Sequence, residues 1–379
     1  MKKFILIPDS FKGTMSSEEI CGIMESAIRK TEPDAEILSI PVADGGEGTV
    51  DAFLSAVGGE KRTIPVKGPL FEETSAFYGV IDEGTTAVIE MAACAGLPLI
   101  GERRDPIRAT TYGVGELIRH AIEHGCKKII LGLGGSATND GGAGAAAALG
   151  VRFLNQEGNP FVPTGGTLCE ITKIDCSQCL PALQDTEVIA MCDIDNPLCG
   201  PAGAAAVFGP QKGASPEIVP LLDEGLSHLS EVIARDVGLQ LSDLPGAGAA
   251  GGMGCGAVAF LGARLQMGIE TVLDTVRFDS LLPGTDLVFS GEGKIDTQSI
   301  RGKVVIGIAK RTQKAGVPLA AIVGDIGDEI TDAYRMGVSG IFSINRVAVP
   351  FAEAKPRAKQ DLFLTVDNIM RFLHTMQAH

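Results

Sequence analysis

Short apolar strands alternate with amphipathic helices at both ends of this chain, and this alternation restricts its fold more than any other feature. The first 60 residues predict four elements: a strand over 3–8, a helix starting after Ser16, a strand over 37–41 and a helix over 48–57. The last hundred residues predict strands over 286–290, 319–323 and 341–344, and helices over 303–315, 328–335 and 359–375. Such alternation indicates a parallel sheet covered by helices on both faces.

The middle of the chain follows a different pattern. Residues 61–92 predict three strands joined as a meander, and glycine- and alanine-rich stretches follow later. Two of these stretches, beginning at Gly141 and Gly251, look alike, and either close helix packing or an internal duplication explains the likeness. The predicted fold class is α/β. A discontinuous Rossmann-like domain comprises 1–65 and 285–379, a mixed α/β domain of 66–284 is inserted into it, and the active site is expected in the cleft.

Composition and charge narrow the range of partners. The chain of 379 residues has 49 glycines, no tryptophan and a net charge of −15. A surface this acidic repels nucleic acid and anionic lipid. Small molecules are therefore the expected partners, and binding to nucleic acid or to a membrane is not expected. The N-terminal apolar segment is too short for a signal peptide and no run is long enough to span a membrane, which predicts a cytoplasmic protein. The sequence is compatible with a homo-oligomer.

Cysteine and histidine do not form a recognisable site. Reduced thiols are expected among the nine cysteines, and the single CxxC, Cys176-Ser-Gln-Cys179, lacks the further ligands of a zinc site. The five histidines avoid every glycine-rich segment considered below. A histidine-based triad or metal site is therefore not expected.

The segment Ser290-Gly-Glu-Gly-Lys-Ile-Asp296 follows the predicted strand over 286–290. Its two glycines are expected to turn the backbone sharply and let it approach a ligand. Acidic and basic side chains follow within a dozen positions: Glu292, Lys294, Asp296, Arg301 and Lys303. Carboxylates and cations at the carboxyl end of a strand are what phosphoryl transfer to a small anion requires.

Two further polar segments end the first two predicted strands. Pro8-Asp-Ser-Phe-Lys-Gly13 offers Asp9, Ser10 and the cation Lys12, although an ordinary turn before a helix also explains it. Ala43-Asp-Gly-Gly-Glu-Gly-Thr49 places Asp44 and Glu47 three residues apart. These carboxylates suit Mg²⁺ or substrate hydroxyls, and helix capping is the alternative explanation.

A fourth segment, Gly132-Leu-Gly-Gly-Ser-Ala-Thr-Asn-Asp-Gly-Gly142, follows a strand and precedes a helix. Consecutive backbone N–H groups at such a place form an anion nest. Its pattern of Gly132, Gly134 and Ala137 also formally matches a dinucleotide fingerprint, a match that glycine-rich chains produce by chance. A P-loop is absent, because Gly302-Lys303 lacks the upstream glycine and is followed by Val304.

One more acidic pair follows the predicted strand over 187–191. Asp193 and Asp195 are expected to point the same way, and they fit either metal or hydroxyl binding or an ordinary turn before Pro197.

We call the segments 8–13, 43–49, 132–142 and 290–296 the four glycine-rich segments. In these segments, and over essentially its whole length, the chain resembles the bacterial glycerate kinase family of type I, the glycerate 2-kinase group. The segments occur in the order of the family and none departs from its pattern. The resemblance implies two α/β domains with a cleft. It also implies ATP-dependent phosphorylation of D-glycerate, expected at the 2-hydroxyl, in glycolate, glyoxylate or sugar-acid breakdown.

The roles of individual residues follow from the chemistry of phosphoryl transfer, which needs positioning and charge neutralisation more than covalent help. The predicted catalytic residues are Asp296 as general base, Asp193 as the second choice for that role, and Lys294 at the transferred group. The predicted substrate-binding residues are Asp9, Ser10, Lys12, Asp44 and Arg301. The predicted ATP-binding residues are Gly134, Gly135, Ser136, Thr138, Asn139 and Lys303. The predicted Mg²⁺ ligands are Asp44, Glu47 and Glu292.

Two other function classes compete with a kinase. A nucleotide-dependent dehydrogenase of a small hydroxy acid would use the segment from Gly132 to Ala137 and an acidic ribose ligand about twenty residues later. Glu157 lies near that offset, but in a turn-like sequence. A two-lobed binding protein for sugar acids is the non-enzymatic alternative, and the missing signal peptide counts against it.

Overall fold

The structure is a computed structural model that describes residues 2–43, 45–296, 303–328 and 330–377. The chain forms two compact units, which we call the terminal unit (Met1–Ala43 with Ile269–His379) and the central unit (Asp44–Gly268). The domain boundaries expected from the sequence, after residues 65 and 284, stay predictions. The two compact units divide after residues 43 and 268, and the segment 44–65 belongs to the central unit.

The strands are β1 (Lys3–Pro8), β2 (Glu36–Ser39), β3 (Glu60–Lys67), β4 (Glu73–Ile81), β5 (Thr86–Glu90), β6 (Lys128–Gly132), β7 (Arg152–Leu154), β8 (Pro160–Phe161), β9 (Lys173–Asp175), β10 (Glu187–Met191), β11 (Arg264–Gln266), β12 (Leu287–Ile295), β13 (Leu319–Ile326) and β14 (Gly340–Ser343). The α-helices are α1 (Ser17–Thr31), α2 (Thr49–Val57), α3 (Ala92–Ala95), α4 (Leu97–Ile100), α5 (Tyr112–Glu123), α6 (Ala143–Ala148), α7 (Ala204–Phe208), α8 (Ile218–Asp236), α9 (Ala249–Leu261), α10 (Gly268–Thr275), α11 (Phe278–Leu281), α12 (Val304–Ala315), α13 (Thr331–Arg335), α14 (Phe351–Ala354) and α15 (Ala358–Gln377).

The terminal unit is built on a parallel five-stranded sheet with the order β14-β13-β12-β1-β2. Both chain ends contribute to it, because β1 pairs with β12 over the register from Phe4↔Leu287 to Pro8↔Gly291. The predicted start of α1 is confirmed: Ser16 and Glu19 form a reciprocal capping box. The alternation at both ends therefore produces the parallel sheet that the sequence predicted.

The central unit contains a mixed six-stranded sheet with the order β11-β10-β6-β5-β4-β3. The predicted meander is confirmed, since β3, β4 and β5 pair antiparallel, whereas β5, β6, β10 and β11 are parallel. A small antiparallel sheet, β8-β7-β9, lies in the same unit. The α/β fold class is thus confirmed, with one parallel and one mixed sheet.

The two similar glycine-rich stretches of the central unit pack directly against each other. Gly141 N–H donates a 3.1 Å hydrogen bond to Gly251 O. A Cβ atom on Gly256 would lie only 2.4 Å from Gly141 O, so a side chain there has no room. The likeness of the two stretches is accounted for by close packing between α9 and the segment that precedes α6.

The segment after Ser290 corrects one expectation. No sharp turn follows Ser290: β12 continues through both glycines to Ile295 and pairs with β13 as far as Ile295↔Ile326. Gly291 serves close approach instead, because a Cβ atom on this residue would lie 2.2 Å from Ile322 O. Among the described helices, none combines the length and apolar character that crossing a membrane requires.

Candidate active site

Two of the four glycine-rich segments meet within the terminal unit, where β1 and β12 end side by side. Asp9 N–H donates a 2.8 Å hydrogen bond to Gly291 O, and Ser290 Oγ donates one of 2.9 Å to Ile7 O. A Cβ atom on Gly293 would lie 3.8 Å from Lys12 N, so the loop after β1 passes over the glycine face of β12. The carboxyl edge of this sheet therefore brings the Asp9–Lys12 and Ser290–Asp296 segments together, as expected for an open α/β sheet.

An open pocket of about 450 Å³ lies beside this edge. It is lined by Ser10, Lys12, Gly13, Thr14, Met15, Ser16 and Glu19. Lys12 is exposed, and the half-buried Asp9 accepts a 2.7 Å hydrogen bond from Ser10 N through its carboxylate. The pocket thus holds two of the predicted substrate residues, Ser10 and Lys12, next to the start of α1.

The acidic and basic side chains of β12 differ in exposure. Glu292 is buried, Lys294 is exposed and Asp296 is half-buried just after the strand. Because side chains alternate along a strand, Glu292 and Lys294 share the face opposite the two glycines. The exposed Lys303 forms the N-cap position of α12. Two predicted substrate residues, Asp44 and Arg301, lie outside the described residues.

The other two glycine-rich segments meet within the central unit, backbone against backbone. Gly134 N–H donates a 2.9 Å hydrogen bond to Gly45 O. A Cβ atom on Gly134 would lie 2.5 Å from Gly46 Cα, and one on Gly132 would lie 2.4 Å from Gly45 O. These glycines are required because the two loops approach each other more closely than any side chain allows.

Glu90 holds one of these loops in place, and sequence reasoning missed it. This residue ends β5 and is 2% exposed, and its carboxylate accepts hydrogen bonds from Gly48 N (2.9 Å) and Val50 N (3.3 Å) at the start of α2. Burial raises the pKa of the Glu90 carboxyl, and the two backbone hydrogen bonds oppose that rise. A single acidic residue at the end of an apolar strand was the available signal.

The loop from Gly135 to Asn139 has unused hydrogen-bonding groups. Within the described part of the chain, none of the N–H groups of Gly135, Ser136, Thr138 and Asn139 donates a hydrogen bond to another residue. The buried side-chain atoms Asn139 Nδ2, Asn139 Oδ1 and Thr138 Oγ1 likewise have no protein partner there. Buried polar groups are rarely left unpaired, so this loop is built to receive a polar ligand.

Asp140 fixes the end of this loop. Its buried carboxylate accepts hydrogen bonds from Thr111 N (2.8 Å), Thr111 Oγ1 (2.9 Å), Gly142 N (3.2 Å) and Gly144 N (3.2 Å). Burial raises the pKa of Asp140, and these four hydrogen bonds act against that rise. Asp140 is therefore a structural anchor at the start of α6.

Lys212 contacts the same loop, and sequence reasoning missed this residue too. It is 2% exposed, and its Nζ donates to Ser136 Oγ (2.8 Å) and to the carbonyl oxygen of Thr138 (2.7 Å). Burial lowers the pKa of Lys212 to about 7, although the charge of Asp140 opposes the shift. The available signal was one lysine inside the small-residue stretch that starts at 200.

The remaining predicted residues are more dispersed. Asp193 is exposed beyond the end of β10, so strand alternation does not orient it; its Oδ1 accepts a 2.7 Å hydrogen bond from Gly268 N. Glu47 is exposed in the central unit, whereas Glu292 belongs to the terminal unit. Among the described residues, no group of three or more His, Cys, Asp or Glu side chains is arranged to hold a metal ion.

The chain is similar to several known proteins over almost its whole length. The model of the Glycerate kinase family matches residues 4–374. The chain is 45% identical to the glycerate 2-kinase of Escherichia coli K12 over 90% of both chains, and 44% identical to the glycerate kinase of Bacillus cereus over 97% of both. A crystal structure from Salmonella typhimurium LT2, of a protein provisionally named glycerate kinase 2, superposes with a TM-score of 0.88 at 41% identity and covers all of both chains.

An α/β fold in a chain this similar to glycerate kinases defines a phosphotransferase. The family model matches almost the whole length of the chain, so the kind of phosphotransferase can be stated more specifically. The chain belongs to the glycerate kinase family.

Nothing in these comparisons supports the dehydrogenase alternative. The structure also departs from a dinucleotide fingerprint, in which the third small residue lies in the opening turn of a helix. Here α6 begins only at Ala143, six residues after Ala137. Glu157, the candidate ribose ligand, is exposed in a turn closed by Asn155.

Proposed function

We propose that the protein transfers the γ-phosphoryl group of ATP to the 2-hydroxyl of D-glycerate and forms 2-phosphoglycerate and ADP. The observation that carries the proposal is the Gly135–Asn139 loop, with its unused N–H groups and its buried, unpartnered Asn139 side chain. The names of the relatives support glycerate as the acceptor, and the name of the E. coli relative supports the 2-hydroxyl.

The loop fits the phosphates of a nucleotide. The four N–H groups, the Thr138 hydroxyl and the Asn139 amide nitrogen are donors in one short segment, and the oxygens of a triphosphate accept hydrogen bonds from such donors. The close approach of the Gly45–Gly46 backbone to Gly134 leaves the loop little freedom to rearrange. A preformed loop of this kind holds the phosphates without the cost of ordering it at each binding event.

The pocket beside α1 suits the acceptor. Glycerate carries a carboxylate and two hydroxyl groups, for which Lys12 supplies a cation and Ser10 and Asp9 supply hydrogen-bonding groups. In a protein with a net charge of −15, a local cation is needed to attract an anionic substrate. Asp44 and Arg301 complete the proposed set, and both lie outside the described residues.

Asp296 is the proposed general base. It is half-buried at the end of β12, two residues after the exposed Lys294. As the attacking oxygen bonds to the γ-phosphorus, the bond from this phosphorus to the bridging oxygen breaks and ADP leaves. The hydroxyl proton passes to the Asp296 carboxylate, while Lys294, together with Lys303, balances the charge of the phosphoryl group. Asp193 remains the second choice for the base.

Magnesium is the proposed metal, and its candidate ligands from the sequence are Asp44, Glu47 and Glu292. Mg²⁺ usually takes one or two carboxylates together with substrate phosphates and water, so the proposal does not require all three side chains at one ion. When bound, the ion neutralises phosphate charge. Full turnover in excess EDTA would contradict this assignment.

One assay tests the proposed reaction. The protein is incubated with ATP, Mg²⁺ and D-glycerate, and the product is resolved by ³¹P NMR. We expect the resonance of 2-phosphoglycerate and stoichiometric ADP. Formation of 3-phosphoglycerate would correct the position of transfer, and absence of any phosphorylated glycerate would overturn the proposed function.

A further inference from the structure

We propose that Lys212 is a positioning residue that holds the Ser136–Thr138 backbone in the shape that receives a phosphate group and supplies the positive charge beneath it. The inference rests on the proposed function of the loop as a phosphate site. It adds a residue from a distant part of the chain, since Lys212 lies 76 positions after Ser136.

The contacts of Lys212 define its role. Its Nζ donates to Ser136 Oγ at 2.8 Å and to Thr138 O at 2.7 Å. Binding the Thr138 carbonyl oxygen from below keeps that oxygen away from an incoming anion. A carbonyl turned toward a phosphate would repel it, so this contact makes the loop selective for negative charge.

The loop also has hydrogen-bond donors that Lys212 does not use. The N–H groups of Ser136, Thr138 and Asn139 have no acceptor among the described residues, and the Asn139 amide is buried without a partner there. Lys212 is buried, and both of these hydrogen bonds of its Nζ go to this loop. It therefore acts through Ser136 and Thr138, and through its charge.

The charge of Lys212 is poorly compensated. Asp140 is the charged side chain that influences it, and four hydrogen bonds from Thr111, Gly142 and Gly144 already hold that carboxylate. Arg104 binds the neighbouring Gln211 carbonyl oxygen from an exposed position, so it adds like charge near the solvent. Burial accordingly lowers the pKa of Lys212 to about 7.

A bound phosphate favours the charged form of Lys212, which burial disfavours. A neutral amine still donates two hydrogen bonds, so the contacts with Ser136 and Thr138 persist when Lys212 loses its proton. An anion in the loop favours the ammonium form, and Lys212 then takes up a proton from solvent as the anion binds. No proton is drawn from the nucleotide at pH 8, where its phosphates are ionised.

Isothermal titration calorimetry of ATP binding, without glycerate, measures this proton. Titrations at pH 8 in buffers of different ionisation enthalpy give the number of protons taken up. With a free-state pKa of about 7, the wild-type protein should take up as much as about 0.9 proton per ATP. This measurement needs no variant. An uptake of zero, with ATP bound, would overturn the inference.

Two variants assign the proton to its residue. Lys212→Met keeps most of the length of the side chain and removes its charge and its two hydrogen bonds. It should abolish proton uptake and weaken ATP binding by tenfold or more, while the KM for glycerate changes little. Lys173→Met, at an exposed lysine of β9, should behave like the wild type. If Lys212→Met keeps wild-type proton uptake and ATP affinity, Lys212 has no role in the phosphate site.

The outcome separates this inference from the proposed function. Normal formation of phosphoglycerate by the wild-type protein, together with zero proton uptake, removes the role of Lys212 alone. Absence of phosphorylated glycerate in the wild-type reaction removes the proposed function instead, whatever the calorimetry shows.

Discussion

The backbone N–H of Gly134 donates a 2.9 Å hydrogen bond to the carbonyl oxygen of Gly45, and this contact joins two glycine-rich loops in the central unit. A Cβ atom on Gly134 would lie 2.5 Å from Gly46 Cα, where only backbone is available to move. We expect Gly134→Ala to lower the free energy of unfolding by about 1–3 kcal/mol. It should also raise the Kd for ATP, because the loops must separate.

Gly22→Ala is the matched control. Gly22 lies within α1, and a Cβ atom there would meet nothing within 4 Å. The same substitution should therefore stabilise the protein by about 0.5–1 kcal/mol without altering ATP affinity. Urea unfolding and calorimetry measure both quantities. A Gly134→Ala protein that is destabilised yet binds ATP normally would limit Gly134 to a packing role.

Lys12→Ala should impair use of glycerate more than use of ATP. Lys12 is exposed at the pocket beside α1, so we expect loss of one charge-assisted hydrogen bond, about 1.5–3 kcal/mol in the kcat/KM for glycerate. Lys310→Ala, at an exposed lysine of α12, is the control and should leave both kinetic parameters unchanged. A raised KM for ATP with an unchanged KM for glycerate would transfer Lys12 to the nucleotide site.

Asp296→Asn should separate a catalytic role from a structural one. Asparagine keeps the size and hydrogen-bonding capacity of the side chain but is not a base, so we expect kcat to fall by about 10²–10⁴ with little change in stability. Asp286→Asn, just before β12 at its other end, is the control: Asp286 Oδ2 accepts a hydrogen bond from Lys3 N. A nearly normal kcat for Asp296→Asn would make Asp193 the candidate base.

The stability difference between the wild-type protein and Lys212→Met should depend on pH. The pKa of Lys212 is about 7 in the folded protein and 10.5 in an unfolded chain, so between these values the unfolded state binds more protons. The free energy of unfolding of the wild-type protein should then rise relative to the variant by up to about 1.4 kcal/mol per pH unit.

Urea titrations at pH 7.5 and 9 measure this slope. Below pH 7 both states carry the lysine charge, so the difference between the two proteins should become constant there. A difference that stays constant up to pH 9 would show that folded Lys212 keeps an ordinary lysine pKa.

The sequence was a good guide to the fold where one local signal determines one element. The capping box at Ser16 marks the start of α1, and the apolar run from Lys3 to Pro8 is β1. The sequence failed after Ser290, because glycines that permit a turn also permit close strand packing. Which of the two occurs depends on Ile322, a residue of the neighbouring strand.

The candidate site was predictable only in part, for a similar reason. Gly134 and Asn139 lie in a segment whose composition indicates an anion site. Lys212 binds that segment and Glu90 binds the adjoining loop at Gly48, and their local sequences contain no motif. A buried charge becomes visible only when the tertiary structure places it against its partners, here Ser136 for Lys212 and Gly48 for Glu90.

The pairing of β1 with β12 has a consequence for biosynthesis. Ser290 and Ile7, joined by a hydrogen bond, are 283 positions apart, and the complete central unit lies between them in the chain. At a translation rate of about 5–20 residues per second, β1 leaves the ribosome tens of seconds before its partner strand is made. During that time the central unit can fold alone. Phe4 and Leu6, which are buried in the finished protein, still lack the neighbouring strand β12. The sheet of the terminal unit is therefore completed only after β12 has been synthesised, although β1 and β2 are available long before.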